Sequence, residues 1–250
     1  MIGVLKSELF KLRTTRATKI VVLSAVLLPA IIFTLTCIFA FSNGEVGDSL
    51  ISMVGNFAPL TGLLLGVVGV LCSTQEYSQG TIRITLVATP SRLKVHIAKL
   101  LTILVVSVVS AALMLLLCLL PAQLILSTRN VAFVTISTDL RILFSVVILS
   151  ALLSVLGLSL GLIFKSSPGA ISALLIWPTI LEGMVFGLLS LAFKDSNVIR
   201  FAPIQGNGFQ LVSPFFNPGQ NTWLTSLVYF SGFICVFIAL GLTLFSRRDA

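Results

Sequence analysis

The chain is a succession of long apolar runs broken by short polar stretches. The runs occupy residues 20–41, 57–74, 98–120, 142–164, 170–192 and 223–245. Each is close to the roughly 20 residues a helix needs to cross the hydrocarbon layer. They are continuous rather than alternating, which rejects a barrel. Backbone groups in lipid must be satisfied internally, so each run is predicted to be a spanning helix. Ahead of them, Ile2, Leu5, Leu9 and Leu12 recur at helical spacing. On that wheel Lys6 and Arg13 flank the stripe, Glu8 lies near its other edge, and Lys11 points away. The pattern predicts an amphipathic helix over 2–16 lying in the membrane interface. The basic region and the apolar run after it are both too long for a cleaved signal peptide.

Turn and packing signals refine this outline. Ser42-Asn43-Gly44 closes the first span. Gly62-x-x-x-Gly66, with Gly69 beyond it, gives the small-residue spacing of close helix packing inside a bundle. Thr89 as N-cap and Pro90 at the first helical position start the helix of the third span, whose first turns stand outside the bilayer. Pro121 is expected to end it. Trp177-Pro178 interrupts the fifth run, which also carries Glu182. Residues 193–222 are too broken by Pro and Gly to span and too apolar for a solvated loop. Short helices dipping into the outer interface are expected there. Trp223 leads the sixth span at the interface.

Composition agrees. The 250 residues are 57% hydrophobic and only 10% charged, against about a quarter charged in soluble domains. The net charge of +8 comes from Lys and Arg at the ends of apolar runs, where they set orientation. It is not a nucleic-acid signature. With the N-terminus in the cytoplasm, 12 of the 16 Lys and Arg fall on that side. Both termini and the stretch Gln75–Lys99 are therefore expected in the cytoplasm. All four Cys lie in apolar runs, and their spacing suggests neither a disulfide framework nor a metal.

Little chemistry is left. No Gly-x-x-x-x-Gly-Lys-Ser/Thr loop occurs, so the chain is not expected to hydrolyse ATP, and no catalytic residue or cofactor of its own is assigned. One histidine, His96, excludes a two-His zinc helix. Glu182 stands alone at membrane depth, without the second acid of a proton relay. Either it lines a substrate route, or it is a buried carboxylate bonded to backbone freed by Pro178. The Phe-rich stretch 209–216 reads as an exit gate or as a surface resting on lipid headgroups.

The longest polar break is the most specific feature. Gln75-Glu76-Tyr77-Ser78-Gln79-Gly80-Thr81-Ile82-Arg83, with Leu86, Pro90, Arg92 and Lys99, resembles the first cytoplasmic loop of type-2 ATP-binding-cassette (ABC) exporter permeases. This form is common in their actinobacterial and Gram-positive members. Ser7–Arg13 and Arg247-Arg248-Asp249 resemble their opening and closing segments. Ser78-Gln79 departs from the pattern, since relatives often carry a basic residue there.

The resemblance implies an all-α, single-domain membrane subunit of an ATP-driven exporter. It implies an elbow helix before the first span, a coupling helix between spans 2 and 3, and short outer helices between spans 5 and 6. Two copies of a separate ATPase, holding ATP and Mg, dock on the coupling loop, and a second permease chain, identical or related, completes the dimer. Glu76, Tyr77, Gly80, Thr81, Ile82, Arg83, Leu86, Pro90 and Arg92 become the ATPase-coupling candidates. Glu182, Trp177, Phe209 and Phe215 become candidates for the substrate path. The substrate is expected to be a hydrophobic or amphipathic drug, peptide or lipid. The alternative is a membrane scaffold or sensor that meets a cytoplasmic partner through the same loop. A lipid-modifying enzyme lacks a catalytic constellation.

Overall fold

A computed structural model describes residues 2–39, 50–81, 85, 87, 91–128, 139–194, 196–212 and 221–247. Ile82, Arg83, Leu86, Thr89, Pro90 and Phe215 lie outside the described residues. Among the described residues the protein is helical and has no strand. The helices are α1 (Ile2–Thr14), α2 (Arg16–Phe39), α3 (Leu50–Gly55), α4 (Ala58–Ser78), α5 (Arg92–Thr128), α6 (Asp139–Phe164), α7 (Ser167–Ile176), α8 (Glu182–Phe193) and α9 (Trp223–Arg247). A π-helical turn, Trp177–Leu181, joins α7 to α8. Short turns at Ser196–Phe201, Pro203–Gly208 and Phe209–Leu211 lie between α8 and α9. Among the described residues, six stretches are long and apolar enough to cross a membrane: α2, α3 with α4, α5, α6, α7 with α8, and α9.

The centre of the bundle is the pair α4 and α6, both mostly buried, while few residues of α7, α8 and α9 are buried. Glycine makes this pairing possible. A Cβ on Gly157 of α6 would overlap the Gly66 carbonyl of α4, and one on Gly69 would overlap the Ser154 carbonyl. The Gly62–Gly66–Gly69 face thus packs on α6 inside the bundle, where the missing side chains let the two backbones touch. Phe33 of α2 meets Phe57 edge-on, with ring centroids 5.8 Å apart. Trp223 of α9 donates its indole N–H to Ser145 Oγ of α6 at 2.8 Å.

Pro121 does not end its helix. α5 runs 37 residues, through Pro121 to Thr128. Within a membrane bundle the hydrogen bond lost at proline is tolerated, because neighbouring groups and small backbone adjustments absorb it. At 1.5 Å per residue α5 is about 55 Å long, well beyond a hydrocarbon core of about 30 Å.

Candidate functional site

The end of the bundle that carries α1 and the end of α9 holds a buried cluster of four charges. Glu8 and Lys11 stand three residues apart on one face of α1. Glu76 sits on the last turns of α4, and Lys99 on the third turn of α5. Lys99 Nζ lies 2.7 Å from Glu8 Oε2 and 3.1 Å from Glu76 Oε2, and donates to the Cys72 carbonyl at 3.3 Å. Lys11 Nζ lies 2.7 Å from Glu8 Oε1 and 2.5 Å from Glu76 Oε1. Glu8, Glu76 and Lys99 are buried, and Lys11 is partly exposed. Two carboxylates and two ammonium groups cancel, which is how a low-dielectric interior tolerates them. Burial disfavours the Lys11 ammonium, but hydrogen bonds to Glu76 and Glu8 outweigh it and lift its pKa above the ordinary lysine value.

This arrangement revises the reading of α1. Lys11 does not point away; it reaches inward to Glu8 and Glu76. Leu12 is buried in the core. The inner face of α1 is therefore held by ion pairs to α4 and α5 as well as by apolar contact. The sequence offered a weak signal of this: a Glu and a Lys one helical turn apart, beside a Lys in the opening turns of a spanning helix.

Gly80 ends α4 in the left-handed region, at φ +66°. Thr81 N–H bonds the Glu76 carbonyl at 3.0 Å and Gly80 N–H the Tyr77 carbonyl at 3.3 Å. This paired closure needs a residue at positive φ, and glycine adopts it without strain. Thr85 Oγ1 then returns to Glu76 Oε1 at 3.4 Å, tying the loop to the cluster.

The other described coupling candidates also face their own chain. The Lys165 ammonium stands 5.1 Å from the centre of the Tyr77 ring. Thr74 Oγ1 and Ser167 Oγ are 2.6 Å apart, so α4 is fastened twice to the turn between α6 and α7. Arg92 donates to the Phe245 carbonyl at 2.8 Å and lies 5.9 Å from that ring. A cation on the last carbonyls of α9 is favoured by the helix dipole. Glu76, Tyr77 and Arg92 thus anchor the two roots of the loop.

At the opposite end, Glu182 Oε1 accepts from the Ile204 and Gln205 backbone amides at 2.7 and 2.9 Å. Gln205 Nε2 donates to the Pro178 carbonyl. Its donors are amides of the 203–208 turn rather than backbone freed by Pro178. Asn207 Nδ2 closes the same segment on the Arg200 and Ala202 carbonyls at 2.8 and 2.9 Å. Phe209, Leu211 and Val212 are buried in the core, so this part of the Phe-rich stretch does not rest on lipid headgroups. Trp177 is half exposed and lines an apolar groove of about 390 Å³ with Pro178, Leu181, Ile204, Phe233 and Phe237. Glu182 is not part of that wall. Among the described residues no three metal-ligating side chains converge.

Comparison with known families places this geometry. No curated protein matches the chain. A family model described as "ABC-2 family transporter protein" matches residues 4–177. That match spans the charge cluster, the loop it anchors and the Gly-packed pair α4 and α6, and it covers more than half of the chain. The chain therefore belongs to the ABC-2 transporter family, as a membrane permease component that works with an ABC ATPase rather than as the ATPase itself.

Proposed function

We propose that this permease forms the translocation path of an ATP-driven exporter and receives the movement of its ATPase through residues 75–99. In this reading the ends bearing α1 and the loop face the cytoplasm of a bacterium, as the charge asymmetry favours. Two ATPase copies carry ATP and Mg, this chain carries no cofactor, and a second permease chain, identical or related, completes the path. The substrate is hydrophobic or amphipathic, in keeping with the apolar groove beside Trp177.

One observation carries the coupling reading. Both roots of the loop are fastened to other elements at this end. Glu76 and Lys99 hold α1, Tyr77 and Thr74 hold the turn before α7, and Arg92 holds the end of α9. A push on a loop so anchored reaches α1, α7 and α9 together. A loop serving only to set orientation has no need of these bonds.

Ile82→Asp tests it. Purified with its ATPase in lipid vesicles, the variant is expected to insert normally, keep basal ATP hydrolysis and lose transport. Wild-type transport by Ile82→Asp would remove the loop from the coupling route. If wild-type vesicles move no substrate while the ATPase still binds, the scaffold or sensor reading replaces the exporter.

A further inference from the structure

We propose that the groove between α1, α2 and α5 holds an anionic phospholipid, with its phosphate at Arg13 and Lys19 and one acyl chain along α5. The groove encloses about 510 Å³. Its wall below the mouth is apolar apart from Ser110: Val22 and Val26 from α2, and Val106, Val109, Leu113 and Leu117 from α5. From Val106 to Leu117 the α5 wall rises about 16 Å at helical rise. Half of a hydrocarbon core of about 30 Å is about 15 Å, the depth of one leaflet. The groove thus has the length of a single leaflet's acyl chain.

Its chemistry is asymmetric along that length. Arg13, from the last turn of α1, and Lys19, from the first turn of α2, stand at one end. Both are exposed, and neither side chain has an ion pair or hydrogen bond among the described residues. The only carboxylate of α1, Glu8, is already engaged by Lys99 and Lys11 and does not line this groove. Two unpaired cations at the head of an apolar trough complement a phosphate above an acyl chain. A basic pocket between membrane helices selects anionic headgroups in this way. The apolar groove beside Trp177 has no cation in its wall and gives no such selection. A lipid so held wedges α1 against α2 and α5, on a face of α1 next to the charge cluster, with Leu12 lining both. The site is independent of the coupling reading and survives its failure.

The test uses the full chain reconstituted in phosphatidylcholine vesicles with spin-labelled phosphatidylglycerol or spin-labelled phosphatidylcholine. The motionally restricted fraction is expected to favour phosphatidylglycerol about thirtyfold, on the scale of two surface cations. Arg13→Gln with Lys19→Gln is expected to bring the ratio near one. Lys6→Gln with Lys94→Gln, which removes equal charge away from the groove, is expected to leave it unchanged. Leu113→Trp fills the trough and is expected to abolish the preference with both cations in place. If that variant elutes as aggregate, the two charge-paired variants decide alone. Absence of preference in the wild type overturns the proposal. So does an equal loss in the Lys6/Lys94 variant, which marks diffuse surface charge. Phosphate alone binding the solubilised protein as tightly as phosphatidylglycerol makes it a free-anion site and overturns it as well.

Discussion

Lys99 of α5 and Glu8 of α1, 91 residues apart in the chain, form a 2.7 Å ion pair with both side chains almost wholly buried. Removing Lys99 leaves two buried carboxylates, Glu8 and Glu76, to share the one Lys11 ammonium. Breaking a buried pair this way costs about 3–5 kcal/mol, whereas replacing both partners by apolar groups is often neutral. Lys99→Met is therefore expected to lower stability by about that amount in a reversible denaturation assay in mixed micelles. Adding Glu8→Leu to Lys99→Met is expected to recover part of the loss. Additive losses from the two substitutions would show that the pair has no coupling energy.

The contact between α4 and α6 gives the second prediction. Gly157→Ala drives a methyl group into the Gly66 carbonyl, and backbone cannot yield as a flexible side chain can. The cost is expected to be at least about 2 kcal/mol, well above the scale of surface changes. Gly187→Ala and Gly232→Ala are the controls, since a Cβ at either meets nothing within 4 Å. Those two are expected to stay within about 0.5 kcal/mol of wild type. Equal effects at all three positions would reject the close approach as the cause.

At the other end, Glu182 serves as an acceptor for two backbone amides. Glu182→Gln keeps a carbonyl oxygen there, and Glu182→Leu does not. Stranding a buried amide costs about 1–3 kcal/mol, or about tenfold or more in opening equilibrium. Hydrogen exchange at Ile204 and Gln205 is expected to speed about tenfold in Glu182→Leu and to change little in Glu182→Gln. Altered substrate range in Glu182→Gln, with exchange unchanged, would return the carboxylate to the substrate route.

Sidedness is checked by single cysteines in a chain freed of its native four. The structure decides where to put them. Asn207 lies between α8 and α9 but is buried, so a probe there would not react. Val87 is 83% exposed and Lys194 is exposed too. Val87→Cys and Lys194→Cys are expected to label from opposite faces of sealed vesicles. Labelling of both from one face would overturn the six-span path.

The spans were legible because hydrocarbon thickness imposes a length that composition alone reveals. The Gly62–Gly66 packing was legible for a similar reason: helical spacing puts small residues on one face. Pro121 misled because its usual cost assumes an isolated helix, and the bundle around α5 absorbs it. The cluster was hidden for another reason. Glu8 and Lys99 are distant in the chain, and each alone reads as an ordinary charge at a membrane edge. Glu76 was marked by its motif, but a motif names a residue and not its direction. Its carboxylate points inward to Lys11 and Lys99.

That difference of direction separates two arginines that one motif had joined. Arg92 is engaged within the chain, donating to the Phe245 carbonyl at 2.8 Å with its guanidinium beside that ring. Its role is to hold the start of α5 against the end of α9. Arg83 lies between the two roots, nine residues before it. In the coupling reading it meets the ATPase directly. The two substitutions should then fail differently. Arg83→Ala is expected to weaken ATPase association by about tenfold, the scale of losing one charged interface hydrogen bond, with the permease itself unchanged in stability. Arg92→Ala is expected to leave association at wild-type level. Its cost is about 2–4 kcal/mol of permease stability, since both a hydrogen bond to a charged group and a cation–ring contact disappear. Substrate-stimulated hydrolysis falls in both, by loss of contact in the first and by a loosened root in the second. Affinity titration of the purified ATPase, run beside thermal denaturation of each variant, separates these causes. If Arg92→Ala weakens association as much as Arg83→Ala does, the anchoring role of Arg92 is wrong and the whole stretch from Glu76 to Arg92 is one docking surface.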